Sequence, residues 1–553
     1  MTPDGFLTFL ALVVAVYTVA TPVAKLRIRL EIRLLQIVAA VSAVSLTLYL
    51  EFFGALKQPC PAALGGACQW LTLPTDDSFT SKDAAFLVVL GWMLAAWLIH
   101  RLSKLGPSSL LVLSKLADEL LVEERYAELL KLVEPHLPLI DRVSRRKLRL
   151  QRLHDWLAWL NGKGSHAYII GKLDDEKKHG RRRMPAMIAG VIGRLHVIIP
   201  SRQKEEKYAQ DILRSMYRAD EARRFMVKQR PYAAISLLRL ERYERFEFSD
   251  RFFGDLIADT GSALYLEIRE QQTTRYQLQV FPEHNRLLHF LFSDAENAKT
   301  LGVWKPIGEY LLRRLDPAVD PDYVAYLNGP ATHFEQEWWR DSTYVGIQFF
   351  RLMVDAAAHQ GVEWHMWLYY LPLILKKLEE NYETSNPLVD TTAEFPTRAA
   401  RLIYEIVDAL GDFVKLAPDL PEGSPHRRVP DRFEHANGNI PVLAAIALGQ
   451  CVRTIATSGR LGDSFAIYMH ECVLRDITEL PQDGGDGRLR GFLIQSLVQG
   501  GDAVGGRNRD QVYGQRLATL LQSADHVLWD NARDYIAAID AAYPDALPEH
   551  LKP

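Results

Sequence analysis

Three apolar runs dominate the pattern of hydrophobic and polar residues in the first hundred positions. The runs extend from Gly5 to Ala20, from Leu34 to Phe53 and from Ala84 to Ile99, and Glu51 is the only charged residue within them. Each run is close to the roughly 20 apolar residues that cross a hydrocarbon core of about 30 Å. The pattern therefore predicts three N-terminal transmembrane helices that anchor a large globular region.

The charges beside these runs predict the orientation of the anchor, because Lys and Arg near the ends of a span are retained on the cytoplasmic side. The loop 54–83 has few basic residues, whereas they are dense after the first and third runs. These flanking residues are Lys25, Arg27, Arg29, Arg33, Arg101 and Lys104. We expect a multi-pass protein of a bacterial-type cell inner membrane, with an external N-terminus and a cytoplasmic chain after His100.

The cysteines fit this topology. Cys60 and Cys68 lie in the external loop, where adjacent glycines between them would let the chain turn back. A disulfide between them would persist in an oxidising compartment, and two unpaired thiols are the alternative. Cys451 and Cys472 would lie in a reducing cytoplasm, as buried thiols.

Apolar residues after position 106 recur with the period of an α-helix. The positions i, i+3, i+4, i+7 and i+8 are Leu113, Leu116, Ala117, Leu120 and Leu121. Together with Tyr126 and Val133, this spacing over about thirty residues resembles one tetratricopeptide unit, with small Ala117 where two helices approach closely. Leu129 stands where that pattern prefers Ala, and no clean tandem copy follows. The resemblance implies a helical hairpin.

The 553 residues have a formal net charge of -3, but the charges are distributed unevenly along the chain. Residues 141–230 hold 23 Lys and Arg against 10 Asp and Glu, whereas residues 231–553 hold 31 against 46. We therefore expect a three-helix anchor at 1–105 with an external loop at 54–83, a basic juxtamembrane helical region at 106–230 and an acidic distal domain at 231–553. The predicted fold is membrane-anchored and mainly α, hairpin or solenoid-like, with one small β element near 166–200.

Two basic clusters are candidates for binding lipid or other anions. A helix predicted from Ile140 to Leu160 would carry four arginines at i, i+3, i+7 and i+10 on one side. These are Arg142, Arg145, Arg149 and Arg152, and the second cluster is Lys177, Lys178, Arg181, Arg182 and Arg183. Near a membrane such residues attract anionic headgroups at about 1 kcal/mol each. The alternatives are neutralisation of nucleic acid phosphates and a solvated loop.

Aromatic residues crowd together between Phe334 and Tyr370. Most are expected in a core, because aromatic side chains bury large areas. A groove for a protein partner is the alternative, since Trp and Tyr dominate binding hot spots. The candidates for such a groove are Trp338, Trp339, Trp364 and Trp367.

Known catalytic and cofactor motifs are absent from the sequence. It has no phosphate-binding Gly-x-x-x-x-Gly-Lys-Ser/Thr, no His-Glu-x-x-His, no Gly-x-Ser-x-Gly and no Cys-x-x-Cys. His333 with Glu337, and Cys451 and Cys472 with His470, each lack a fourth metal ligand. We expect no catalytic, cofactor or metal residue, and an enzyme with an unrecognised site is the third alternative.

The favoured function is a membrane-tethered helical scaffold or sensor that docks an unidentified protein partner while its basic residues contact anionic lipid. A first alternative is a membrane-perturbing effector of a stress or antiphage defence system, which would assemble as a homo-oligomer through its transmembrane helices. A second is a membrane-tethered nucleic-acid-binding protein. The runs contain few of the ionisable residues that mark an ion path, which favours the tether.

Overall fold

The computed structural model is helical in the part of the chain that it describes. That part comprises residues 21–31, 34–53, 81–102, 106–147, 149–160, 194, 199, 201–273, 280–331, 335–363, 366–430, 438–482, 484–501 and 510–552. No β-strand occurs among these residues, which contain one isolated bridge between Pro330 and Thr397. The predicted α-helical character is therefore confirmed. The chain divides into two compact units, Met1–Ala222 and Arg223–Pro553.

The first unit contains the helices named α1 to α8, and α9 crosses its boundary. They are α1 (Pro22–Glu31), α2 (Leu34–Phe53), α3 (Ser81–Leu102), α4 (Leu110–Val122), α5 (Tyr126–Val133), α6 (Leu137–Ser144), α7 (Arg149–Leu160), α8 (Gln203–Arg218) and α9 (Asp220–Gln229). Helices α4 and α5 pack together and bury Leu113, Leu116 and Leu120, as expected for the helical hairpin. Helix α8 packs against both α4 and α6 and covers the hairpin.

The helix predicted from Ile140 to Leu160 is interrupted. Helix α6 ends at Ser144, and Arg146 has a left-handed φ of 53°. The N–H of Arg146 donates to the carbonyl of Val143 at 3.1 Å, and the N–H of Lys147 donates to that of Arg142 at 2.9 Å. This pair of bonds is the Schellman arrangement that closes a helix. The four candidate arginines therefore do not share one side of one helix, because α7 begins a new one.

The second unit is built from helices of varied length joined by loops. They are α10 (Pro231–Leu238), α11 (Glu244–Ala258), α12 (Ala263–Thr273), α13 (Arg286–Phe292), α14 (Ala295–Leu301), α15 (Trp304–Arg314), α16 (Pro321–Leu327), α17 (Glu335–Trp338), α18 (Ser342–Gln360), α19 (Met366–Glu380), α20 (Arg398–Lys415), α21 (Ile440–Thr457), α22 (Asp463–Glu479), α23 (Gly484–Gln499), α24 (Gln511–Ser523), α25 (His526–Asp530) and α26 (Arg533–Ala542). Short 3-10 helices are also present, at Pro107–Ser109, Glu134–His136, Ala417–Asp419, Pro425–Arg427 and Glu549–Leu551.

Helix α21 is a core helix of the second unit. It packs against α19, α20, α23 and α24, and most of its side chains are buried. The N-cap Asn439 accepts a hydrogen bond from the N–H of Val442 at 3.2 Å, which fixes the start of the helix. A helix that is apolar all round is stable in water only when other elements surround it.

The prediction of three N-terminal transmembrane helices is wrong. Among the described residues, α21 alone is long and apolar enough to span a bilayer. However, 67% of this helix is buried inside the protein. Near the N-terminus the corresponding apolar stretch is Val38–Tyr49. At 1.5 Å per residue it is about 18 Å long, short of the roughly 30 Å of a hydrocarbon core. Helix α1 is charged, packs against α4 and buries Val23 and Leu30.

Other predicted features lie outside the described residues. They are the apolar run 5–20, the pair Cys60 and Cys68, nearly all of the β element near 166–200, the basic residues Lys177, Lys178, Arg181, Arg182 and Arg183, and Trp364. The domain boundaries at 105/106 and 230/231 stay predictions.

Candidate functional site

Two adjoining cavities lie beside helices α18 and α20 of the second unit. Their volumes are about 680 and 520 Å³, and Tyr344 and Glu405 line both of them. Tyr344 is positioned by the start of α18, where its N–H donates to the carboxylate of the N-cap Asp341 at 2.9 Å. We call the two cavities together the aromatic–acidic groove, defined by the aromatic and carboxylate side chains described next.

Packed aromatic rings form one wall of the groove. Trp338 lines the larger cavity and Trp339 lines the smaller one, with Tyr344 between them. The ring centroids of Trp338 and Trp339 lie 5.8 and 5.2 Å from that of Tyr344. Phe395 also lines the larger cavity. Mutual packing holds these rings in place, so the wall is formed before any ligand arrives.

Carboxylates outnumber basic groups in the lining. The carboxylates are Asp355, Asp390, Glu394, Glu405, Asp412 and Asp419, and the basic residues are Arg351, Arg401 and Lys415. Glu405 and Asp412, with Asp408 between them, recur at i, i+3 and i+7 on α20. That spacing places three acids on one face of the helix. The groove therefore carries a net negative charge.

Two arginines hold the acidic face of α20 in place. The guanidinium of Arg351 lies 3.1 Å from Asp408 and 3.9 Å from Glu405, and it also pairs with Asp412. Burial disfavours its charged form, yet these carboxylates raise the pKa of Arg351 above its usual value. Arg401 donates to Glu405 at 2.6 Å and lies 4.7 Å from the centre of the Phe395 ring. Arg351 and Arg401 thus pair with carboxylates of the protein itself.

Asp355 is the least satisfied of these carboxylates. Its Oδ2 is buried and accepts no hydrogen bond in the described structure. Its Oδ1 lies 3.5 Å from Nδ1 of His359. Burial raises the pKa of Asp355, although His359 and Arg351 oppose that shift. Burial also raises the pKa of Asp412. A cationic donor that reached Asp355 would supply the hydrogen bond that its Oδ2 lacks.

The aromatic groove candidates separate into two groups. Trp338 and Trp339 line the groove, and they are 9% and 6% exposed. Trp367 is a core residue, fully buried and packed edge-on against Trp304 at 5.8 Å. Tyr344 and the carboxylates of α20 were not among the predicted site residues. The i, i+3, i+7 spacing of the acids on α20 was visible in the sequence. Arg351, which pairs with these acids, lies on another helix and could not be identified from that spacing.

The candidate anion-binding arginines lie in the first unit. Arg142, Arg149 and Arg152 are exposed, whereas Arg145 pairs with Asp141 at 2.8 Å. Their predicted contact with lipid stays a prediction.

Helices α2 and α3 pack against each other and expose many large apolar side chains. The exposed fractions range from 41% at Leu98 to 60% at Leu94. The other residues of this set are Val38, Val41, Leu46, Tyr49, Leu87, Leu90, Met93 and Trp97. Exposed apolar side chains in such number on two packed helices are typical of a protein or membrane contact.

The thiols and His470 do not form a metal site. No group of three or more His, Cys, Asp or Glu residues able to hold a metal is found among the described residues. Cys451 is buried in α21, where burial raises the pKa of its thiol. Cys472 also has a raised pKa through burial, and its Sγ lies 3.6 Å from Nη2 of Arg475. Thiols held in the protonated form are poor nucleophiles and poor metal ligands.

His470 makes the second unit sensitive to acid. It is 2% exposed, its Nε2 lies 3.2 Å from the Tyr535 hydroxyl, and burial lowers its pKa to about 4. The unfolded histidine has a pKa near 6.5. Its neutral form thus contributes stability above pH 6.5 that is lost as the pH falls towards 4. Between pH 7 and 5 this loss is about 2 kcal/mol. We expect His470→Phe to remove it.

The measurement is urea unfolding at pH 7 and pH 5 for the wild type and His470→Phe. Other titrating groups, such as Asp476 with a pKa raised by burial to about 6, are present in both proteins and cancel in the comparison. Equal pH dependence in the two proteins would contradict the assignment.

The functional interpretation of the groove depends on its geometry alone. No model of a known protein family, no curated protein and no solved structure matches this chain.

Proposed function

We propose that this protein is a helical scaffold at a membrane that docks a protein partner, and that the partner inserts a Lys- or Arg-rich segment into the aromatic–acidic groove. The observation that carries the proposal is the combination of an aromatic wall with an excess of carboxylates. Aromatic faces attract cations through their quadrupole, and carboxylates bind guanidinium in charge-assisted pairs. A basic side chain can contact the aromatic rings and a carboxylate at the same time.

The division of the groove into two cavities suits a segment that places side chains in both. Its two cavities lie on either side of Tyr344 and Glu405, with about 680 and 520 Å³ each. Each volume is in the range of a small-molecule pocket. An extended peptide would place successive side chains in the two cavities, and Asp355 would accept one of the cationic heads.

The exposed apolar surface of α2 and α3 supports a membrane location. Ten large side chains on these helices are at least 41% exposed. Leaving such area in water costs about 25 cal/mol per Å², so a lipid covering would stabilise it. The proposed scaffold therefore contacts lipid through its first unit and its partner through the second.

Peptide binding tests the groove. The probe is a fluorescein-labelled peptide of alternating Gly and Arg, titrated by anisotropy against the full chain in detergent. The variant Asp390→Asn with Glu394→Gln and Asp419→Asn removes three exposed carboxylates of the lining. Partly exposed ion pairs are worth about 0.2–1 kcal/mol each, so we expect about tenfold weaker binding.

The matched control removes three exposed carboxylates that do not line the groove, Glu283, Glu422 and Asp545. We expect this variant to bind the peptide as the wild type does. Equal weakening in both variants, or equal binding of a Gly–Glu peptide, would mean that net charge alone attracts the probe. Full displacement by spermine at the same concentration as the unlabelled peptide would indicate a small-cation site and would overturn partner docking.

A further inference from the structure

Helix α7 exposes three of its apolar side chains and buries two of its polar ones. Leu150, Leu153 and Trp156 are 48%, 41% and 54% exposed. Gln151 is fully buried, His154 is 9% exposed and Leu157 is 3% exposed. A surface helix of a soluble protein shows the reverse arrangement, with its apolar stripe towards the core.

The inward position of Gln151 makes this orientation costly in water. Neither the amide nitrogen nor the amide oxygen of Gln151 has a hydrogen-bond partner in the described structure. An unpartnered buried amide and an exposed apolar stripe both destabilise a helix whose outer face meets water. Contact of the outer face with an apolar medium would remove the part of this cost that comes from the exposed stripe.

Arginines share the exposed face with these apolar residues. Successive helical residues turn by about 100°, so Arg149, Arg152, Leu153 and Trp156 lie within an arc of about 100°. Arg149 and Arg152 are exposed and form no ion pair with any described residue. Trp prefers the boundary between headgroups and acyl chains, and Arg extends from an apolar face to reach phosphates.

We propose that the exposed face of α7 lies in the headgroup region of an anionic lipid bilayer. Leu150, Leu153 and Trp156 enter the boundary with the acyl chains, and Arg149 and Arg152 bind lipid phosphates. This assignment rests on the proposed membrane location and adds the lipid class that the first unit recognises. Nucleic acid would neutralise the arginines but leave the apolar stripe in water. A second copy would cover the stripe but leave the arginines without anions.

An environment-sensitive fluorophore on α7 tests the proposal in the full chain. Leu153→Cys is labelled with a nitrobenzoxadiazole dye after Cys60, Cys68 and Cys472 are changed to Ser and Cys451 to Ala. The labelled protein is reconstituted with nanodiscs of phosphatidylcholine, or of equal parts phosphatidylcholine and phosphatidylglycerol. We expect a blue shift and a stronger emission with the anionic discs. The matched control carries the dye at Lys131→Cys, an exposed site on α5, and should not shift.

Variants on the same labelled background separate the two parts of the face. Arg149→Ser with Arg152→Ser should reduce the anionic-disc signal to that of neutral discs. Leu150→Gln with Trp156→Gln should abolish the blue shift in both kinds of disc. Circular dichroism and an unchanged affinity for the Gly–Arg peptide would show that each variant is folded.

Co-elution with the discs distinguishes this inference from the proposed function. A chain that does not co-elute with either disc contradicts the membrane location itself. A chain that co-elutes without a dye shift at position 153, or with equal shifts in neutral and anionic discs, contradicts only the role of α7. A shift that needs no lipid and grows with protein concentration, or that follows addition of duplex DNA, would also overturn the lipid assignment.

Discussion

Replacing Arg490 with Ala is expected to lower the free energy of unfolding by about 3 kcal/mol, because the substitution leaves buried backbone carbonyls without their hydrogen-bond donor. Arg490 is 2% exposed in α23. Its Nε and Nη2 donate to the two oxygens of Asp534 at 2.6 and 2.8 Å. Its Nη1 donates to the carbonyls of Ile477 and Leu480 at 2.6 and 3.1 Å, and Nη2 also reaches that of Asn531 at 3.2 Å.

One guanidinium thus satisfies the end of α22, the loop before α26 and the first turn of α26. Truncation would leave these carbonyls and Asp534 without their donor, and water reaches buried carbonyls poorly. Urea unfolding followed by circular dichroism measures the loss. Arg490→Lys keeps the charge but cannot form the bidentate pair, so we expect an intermediate loss.

The matched control is Arg533→Ala, also at α26. Arg533 pairs with Asp530 at 2.5 Å, but the two side chains are 78% and 55% exposed. An exposed pair is worth about 0–1 kcal/mol, so this variant should be nearly neutral. A similar small loss at Arg490 would mean that the buried network contributes little to stability.

Gly449→Ala is expected to lower the free energy of unfolding by about 3 kcal/mol, because it overpacks a contact between two backbones. Gly449 lies in α21 where α23 crosses it closely. An added Cβ would lie 2.5 Å from the carbonyl oxygen of Ser496 and 2.8 Å from the nitrogen of Gly501. Backbone atoms cannot rotate away, so the helices must separate.

Gly491→Ala supplies a control with the opposite expected sign. Gly491 is exposed in α23, and no atom lies within 4 Å of an added Cβ. Alanine favours the helix over glycine by about 1 kcal/mol, so this variant should be more stable than the wild type. Both variants are compared with the wild type by urea unfolding. Changes of the same sign in the two proteins would contradict the close approach of α21 and α23.

The local parts of the fold were predictable from the sequence. The apolar spacing from Leu113 to Leu120 predicted the buried stripe of α4, because helical periodicity depends on residues only a few positions apart. The crowded aromatic segment includes Trp338 and Trp339, which line the groove. The same composition also pointed to Trp367, which is a core residue. Aromatic type alone does not say whether a ring faces a neighbouring helix or a cavity.

Tertiary structure decided whether apolar helices are surrounded by protein. Hydropathy identifies α21 as a membrane-spanning candidate, but α19, α20, α23 and α24 enclose it. The groove likewise needs Arg351 from α18 and Glu405 from α20, which are 54 positions apart in the chain. The sequence by itself determined helix formation, through the period of its apolar positions and through capping residues such as Asp341 and Asn439 that start some of the helices. Contacts between residues far apart in the chain decide which helix faces meet and which carboxylates lose their contact with water. These contacts exist only in the folded chain, so the free energy of burial cannot be assigned from local sequence.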